Sequence, residues 1–191
     1  MSRYWLSVAW FAAIFAGNAL GATGNLLIFD DADENGFNHN AAICQGGAGY
    51  FGGFAYSGTT SLAVSKQNDN NGAGWGGPVV YSTQTDYDGV TFWINSGNNP
   101  SAHTSLAVAD SNGDLHFAHL EDIYGGALPA ATWVNFNISF SSDYFAQANS
   151  TPPDSLLYFC VNTHSAAQND FLYLDEASLT GADIFKSGFE N

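Results

Sequence analysis

The chain has 191 residues, of which 18 are acidic and only three are lysine or arginine, so its formal net charge is −15. A surface of that sign repels phosphate backbones and anionic lipid, so we expect no nucleic-acid partner. No stretch shows sustained apolar spacing of three and four residues, which argues against a helical fold.

The first residues have the pattern of a secretory signal peptide. Arg3 precedes an apolar run over residues 4–16, and small residues close the segment at 19–22. The run is too short to span a bilayer, so we expect no membrane insertion and a secreted location, extracellular or periplasmic. The predicted organisation is a signal peptide over residues 1–21 and a single domain over residues 22–191. In that domain two lysines stand against 18 acidic residues, a net charge of −16.

The two cysteines, Cys44 and Cys160, both fall in the predicted mature chain. In an oxidising compartment an even pair is normally a disulfide, which would join an early segment to a late one. Closing so long a loop contributes roughly 4–5 kcal/mol in the chain-entropy model. The alternative is a pair of buried free thiols.

Short alternating apolar runs recur between clusters of Gly, Asn, Asp and Ser, a pattern typical of strands joined by turns. Nine strands are predicted, over residues 25–29, 60–64, 79–82, 90–95, 105–109, 115–120, 133–140, 156–161 and 171–179. Residues 45–58 and 68–77 are predicted to be glycine-rich loops with embedded aromatic residues. Nine short strands in a domain of this size predict an all-β fold, a two-sheet antiparallel β-sandwich.

The order of four segments resembles the β-jelly-roll, galactose-binding-like carbohydrate-binding modules of secreted bacterial proteins. These segments are LLIFDDADENGFN, YDGVTFWINSG, ATWVNFNISFSS and FLYLDEASLTG, and the resemblance covers nearly all of the mature chain. It implies a jelly roll, a polysaccharide or glycan as the partner, and a structural calcium ion between the first and last strands.

By position, the resemblance implies that Asp30, Asp31 and Asp175 hold this calcium ion. Calcium takes six to eight oxygen ligands, which carboxylates and loop carbonyls would supply together. Glu176 is a weaker candidate, because alternation places its side chain on the opposite face of the strand. The alternative is that these carboxylates are solvated strand ends on an acidic protein.

Proteins bind sugars by stacking aromatic rings on their C–H faces and by hydrogen bonds from Asn, Asp and Tyr side chains. Trp93, Asn95 and Trp133 alternate onto the side of their strands away from the core, and Trp75 and Tyr50 stand in the predicted glycine-rich loops. These five are the predicted carbohydrate-binding residues. The alternative for each of them is packing in the core or beneath a loop.

The function predicted from these patterns is carbohydrate binding without catalysis. No pair of carboxylates is recognisable on one concave face, as glycoside hydrolysis requires, and no G-x-S-x-G motif is present. Only Lys66 and Lys186 could neutralise a substrate carboxylate in a lyase. The alternatives are a cell-surface or matrix adhesion protein and, less favoured, a polysaccharide-degrading hydrolase or lyase.

Overall fold

The computed structural model describes residues 24–39, 48–66, 71–163 and 170–181. Within these ranges the chain forms eleven strands and two short helices, and all nine predicted strands are among them. The elements are β1 (Leu26–Asp30), β2 (Ala32–Asp33), β3 (Gly49–Gly52), β4 (Thr60–Ser65), β5 (Asn71–Ser82), β6 (Tyr87–Asn95), β7 (Thr104–Ala109), β8 (Leu115–His119), α1 (Leu120–Tyr124), β9 (Trp133–Ser139), α2 (Tyr144–Gln147), β10 (Ser155–Thr163) and β11 (Phe171–Gly181).

The strands form two antiparallel sheets, which confirms the predicted β-sandwich. The smaller sheet has the order β5-β10-β7-β8. In the larger sheet β11 is central: β1 and β4 pair with successive parts of one edge, and β6 pairs with the other edge and is followed by β9. The first and last described strands are therefore neighbours, as the sequence predicts.

The core lies between the two sheets and is built by the alternation of each strand. In β6, for example, Val90, Phe92 and Ile94 are buried while Thr91 and Trp93 face the other way. Aromatic rings bridge the sheets at the centre, where Phe92 contacts Phe159 with a centroid distance of 6.4 Å. Large apolar side chains from both sheets thus leave the water together, the main source of stability in such a fold.

The segment predicted to be a glycine-rich loop with an exposed Trp75 is the first half of β5, so that prediction is wrong. Trp75 is 0% exposed, its ring contacts Phe159 (5.5 Å), and its Nε1–H donates to Asp33 Oδ1 (3.0 Å). Glycines at alternate positions hide the strand pattern, because a residue without a side chain gives no apolar signal on its face. Trp75 therefore has no surface to offer a ligand.

Smaller corrections concern strand ends and the termini. Leu120, predicted as the end of a strand, begins α1, and Phe140 lies just beyond β9. Cys160 is buried on β10, but Cys44 lies outside the described residues, as does the predicted signal peptide, so the disulfide and the domain boundaries stay predictions. In the described part of the chain no helix is long and apolar enough to cross a membrane.

Substitution of Gly74 tests the close pairing of β5 with β10. A Cβ atom at this position would lie 2.0 Å from the Phe159 carbonyl oxygen and 2.6 Å from Cys160 Cα. We expect Gly74→Ala to lower the free energy of unfolding by roughly 1–3 kcal/mol, because the paired backbone must shift. Urea denaturation measures it, with Gly49→Ala, which meets nothing within 4 Å, as the matched control. Equal stability of the two variants would contradict this packing.

Candidate functional site

The candidate site is the outer face of the larger sheet, the face turned away from the core. Three rows of side chains cross this face, each with one residue from β11, β6 and β9 in register. They are Tyr173, Asn95 and Trp133 in the first row, Asp175, Trp93 and Asn135 in the second, and Ser178, Thr91 and Asn137 in the third. The face is thus aromatic at one end and polar at the other.

Seven aromatic side chains form a contiguous group on this face, which we call the aromatic cluster. Each ring contacts at least one other with centroids 3.6–6.2 Å apart. The members are Phe51, Phe54, Tyr56, Trp93, Trp133, Phe171 and Tyr173. Four of the seven are exposed and the others are half-buried, so the cluster presents an apolar surface to water.

Residues 53–59, which we call the face loop, lie across the sheet and supply two of these rings. Phe54 stacks on Trp133 with a centroid distance of 5.6 Å and also contacts Tyr173 at 4.6 Å. Tyr56 lies flat on Trp93, with centroids 3.6 Å apart and ring planes 12° from parallel. The face loop therefore covers one side of Trp93.

Two carboxylates hold the face loop on the sheet. Asp175 Oδ2 accepts the backbone N–H groups of Tyr56 (2.7 Å) and Ser57 (3.2 Å). Asp31 Oδ1 accepts those of Thr59 and Thr60, both at 2.6 Å. Hydrogen bonds from N–H groups to an ionised carboxylate are among the stronger ones in proteins. The first and last strands of the larger sheet are thus joined through this loop.

Asp175 is 0% exposed, although it lies on the outer face. Burial raises the pKa of this carboxyl above its usual range, and the N–H groups of Glu176, Tyr56 and Ser57 oppose the rise without cancelling it. A bulge follows at Glu176, where φ is +44°. The bulge breaks the alternation, so Glu176 lies on the outer face and not on the opposite one as predicted.

The three predicted calcium ligands do not form one oxygen-rich cluster. Asp31 and Asp175 turn their oxygens to backbone N–H groups, which carry partial positive charge, whereas Asp30 lines a separate groove. Among the described residues no group of three His, Cys, Asp or Glu side chains could hold a metal ion. Calcium binding stays a prediction, and the geometry favours a role for Asp31 and Asp175 without the ion.

A groove, which we call the polar groove, crosses β1, β11, β6 and β9 beside the face loop. Its volume is about 250 Å³. The lining residues are Leu27, Asp30, Thr91, Trp93, Asn135, Glu176 and Ser178. The groove crosses four strands that lie about 4.8 Å apart, so it is long enough for a short run of sugar units. Trp93 is shared by the groove and the aromatic cluster.

Among the predicted carbohydrate-binding residues, Trp93 and Trp133 lie on the outer face and keep part of their surface in water. Asn95 points to the same face but is only 1% exposed, so its prediction as a surface contact is wrong. In register it stands between Trp133 and Tyr173, and Phe54 contacts both of these rings. Asn95 Oδ1 accepts the Gly97 N–H at 2.9 Å.

Tyr50 is 47% exposed but does not belong to this face, so a role for it in carbohydrate binding stays a prediction. Its register partner is Leu62, whose side chain enters the core, and its ring contacts Phe29 (6.0 Å) and His39 (4.5 Å). The next residue, Phe51, is the one that faces outward. The other members of the aromatic cluster were not among the five predicted residues, because strand register and the position of the face loop bring them together. They are Phe51, Phe54, Tyr56, Phe171 and Tyr173.

Lys66, which the sequence offers as a residue to neutralise a substrate carboxylate in a lyase, is a structural residue. It is 0% exposed, and its Nζ donates to Asp170 Oδ2 (2.9 Å), to Asn99 O (3.0 Å) and to Ser96 O. Burial by itself would raise the pKa of Asp170, but the bonds from Lys66 and the 98–99 turn outweigh burial and hold it below its usual range. Lys66 therefore cannot meet a substrate.

Comparison with known proteins gives a structural likeness only. No protein-family model matches the chain, and no curated protein matches it by sequence. Solved structures do match. The chain has the fold of carbohydrate-binding modules. A CBM29-2 variant complexed with cellulohexaose has a TM-score of 0.52 and 11% identity, with 83% of this chain and 90% of that chain covered.

Two further modules match at the same level. A CBM29-2 variant complexed with mannohexaose has a TM-score of 0.50 and 10% identity, with 83% and 91% of the two chains covered. The CBM22-1-GH10 modules of the Clostridium thermocellum xylanase 10B, complexed with xylohexaose, have a TM-score of 0.50 and 11% identity. There the match covers 84% of this chain and 29% of the other. At such identities the likeness establishes the fold alone.

The geometry of Asp31 and Asp175 makes a prediction about calcium. Because backbone N–H groups already bond Asp31 Oδ1 and both oxygens of Asp175, we expect calcium added to chelator-treated protein to leave the melting temperature unchanged. Differential scanning calorimetry measures this, with magnesium as the control ion. A rise of several degrees that disappears in Asp31→Asn or Asp175→Asn would instead support the calcium site.

The Lys66–Asp170 pair predicts a loss of stability and a change in its pH dependence. We expect Lys66→Met to lower the free energy of unfolding by roughly 3–5 kcal/mol, because it leaves Asp170 buried and unpaired. In the wild type, Asp170 has a lower pKa folded than unfolded, so its contribution is present above the unfolded pKa and is lost as pH falls through the folded pKa. That acid-dependent part should disappear in the variant.

Urea denaturation at several pH values measures both effects. Lys66→Met with unchanged stability, or with the wild-type loss of stability at acid pH, would show that the pair does not act as described.

Proposed function

We propose that this protein is an extracellular carbohydrate-binding protein that binds a polysaccharide across the outer face of the larger sheet. The observation that carries the proposal is the aromatic cluster, seven rings in contact on one face of a sheet, next to a groove lined by polar side chains. The signal-peptide pattern at the start of the chain supports the location.

The chemistry of the face suits a sugar chain. Pyranose rings have apolar C–H faces that stack on aromatic rings, and Phe51, Phe54 and Phe171 are exposed for such contacts. Hydroxyl groups need donors and acceptors at the rim, which Thr91, Asn135 and other groove residues supply. The apolar rings and the polar groove lie side by side, so one sugar chain could contact both with its C–H faces and its hydroxyl groups.

The rigidity of the face also supports binding. The face loop is fixed by three of its own N–H bonds to Asp31 and Asp175, by that of Thr60 next to it, and by the bond from Ser61 Oγ to Phe54 O (2.7 Å). Rings that are held in place before binding lose little conformational freedom on contact with a ligand. The solved modules of the same fold that are complexed with hexasaccharides point to the same class of ligand.

A glycoside hydrolase is a second candidate, on one observation. Asp30 and Glu176 lie on neighbouring strands of one groove, and hydrolysis requires two carboxylates close together. Release of reducing sugar that is lost in Glu176→Gln would favour this function. Binding to cells or proteins without any glycan binding would favour the adhesion protein.

Truncation of the aromatic cluster tests the proposal. We expect Trp133→Ala and Phe51→Ala each to weaken binding of a hexasaccharide of cellulose, mannan or xylan roughly tenfold, because each removes a stacking surface. Isothermal titration calorimetry measures the affinity, and circular dichroism checks that each variant is folded. Tyr124→Ala, which removes an exposed aromatic residue of α1, is the matched control and should bind as the wild type does. Wild-type affinity in both face variants would refute the proposal.

A further inference from the structure

The polar groove has a chemistry that goes beyond sugar binding in general. We propose that it takes a sugar unit carrying a protonated amino group, so that the preferred ligand is a polysaccharide with free amines. This inference rests on the proposed function, because it assigns the ligand class at the same face.

The strand register brings two carboxylates to one place in the groove. Phe29 pairs with Ala177, so the residues next to them, Asp30 and Glu176, lie close to each other on neighbouring strands. The bulge at Glu176, with its φ of +44°, turns that side chain to the outer face. Both carboxylates line the groove together with Trp93 and Asn135.

No positive charge in the described part of the chain neutralises these two carboxylates. Neither residue forms an ion pair there, and the one described lysine, Lys66, is fully buried against Asp170. A third carboxylate, Asp175, lies directly before Glu176 and opposite Trp93. The groove therefore has a negative potential that a cation would relieve.

The shape of the polar groove and its other lining residues suit a sugar that carries the positive charge. An ammonium group has three N–H donors and no acceptor, so it can bond two carboxylates and an amide oxygen together. The same unit can lay its C–H face on Trp93 or Leu27 while its hydroxyls meet Thr91 and Ser178. A uronic acid in this position would be repelled, and a neutral sugar would gain no charge interaction.

The experiment compares hexamers that differ in charge by calorimetric titration at slightly acidic pH. The probes are the glucosamine hexamer, its fully N-acetylated form, cellohexaose and a galacturonate hexamer. We expect the glucosamine hexamer to bind roughly three- to tenfold more tightly than the two neutral hexamers, with a preference that added salt reduces. The galacturonate hexamer should bind weakest.

Substitution of the carboxylates assigns the preference to the groove. We expect Glu176→Gln and Asp30→Asn to remove the preference for the amine, so that each variant binds the glucosamine hexamer and cellohexaose with affinities within about twofold of each other. Asp122→Asn, which removes a carboxylate of α1 next to the smaller sheet, is the matched control and should keep the preference. Thermal melts check that every variant is folded.

The outcomes separate this inference from the proposed function. Binding of cellohexaose with no preference for the amine, or a preference that survives in both groove variants, overturns the amino-sugar assignment alone. Binding of none of these hexamers, while a mannan or xylan hexasaccharide still binds, also overturns the assignment alone. Binding of no hexasaccharide at all overturns the assignment and the proposed function together.

Discussion

The outer face depends on the pairing of β11, the central strand of the larger sheet, with three other strands. It bonds β6 along one edge and β4 and then β1 along the other, so it brings the start, the middle and the end of the chain to one surface. The bulge at Glu176 divides the strand. Before the bulge its outward residues are the aromatic Phe171 and Tyr173 and then the buried Asp175, and after the bulge the outward residue Ser178 is polar. The two halves of the face follow from this division.

The carboxylate of Asp175 shows how a carboxyl group can lie buried beneath a loop on the outer face. Burial disfavours its ionised form, and hydrogen bonds from the N–H groups of the face loop offset part of this desolvation penalty. In exchange the loop acquires a fixed position, and with it Tyr56 and Phe54 acquire theirs. A loop without secondary structure of its own is thereby held at a defined position on the sheet.

Much of the fold could be predicted from the sequence because strand alternation is local. Val90, Phe92 and Ile94 face the core whatever strand lies beside them, since the period of two is a property of the extended backbone. For the same reason Trp93 and Trp133 could be placed on the other face. The first half of β5 could not be recognised, because its alternate glycines leave one face without side chains, and Trp75 then resembled a loop residue.

The sequence by itself therefore determined the all-β class, the succession of nine strands along the chain, and the side of the larger sheet on which Trp93 and Trp133 stand. Only the tertiary structure decided which aromatic residues meet there, because that depends on register. A shift of one residue in β3 would place Tyr50 on the outer face instead of Phe51. The bulge that turns Glu176 outward and the loop bonds to Asp31 are also set by partners far away in the chain, which no local pattern encodes.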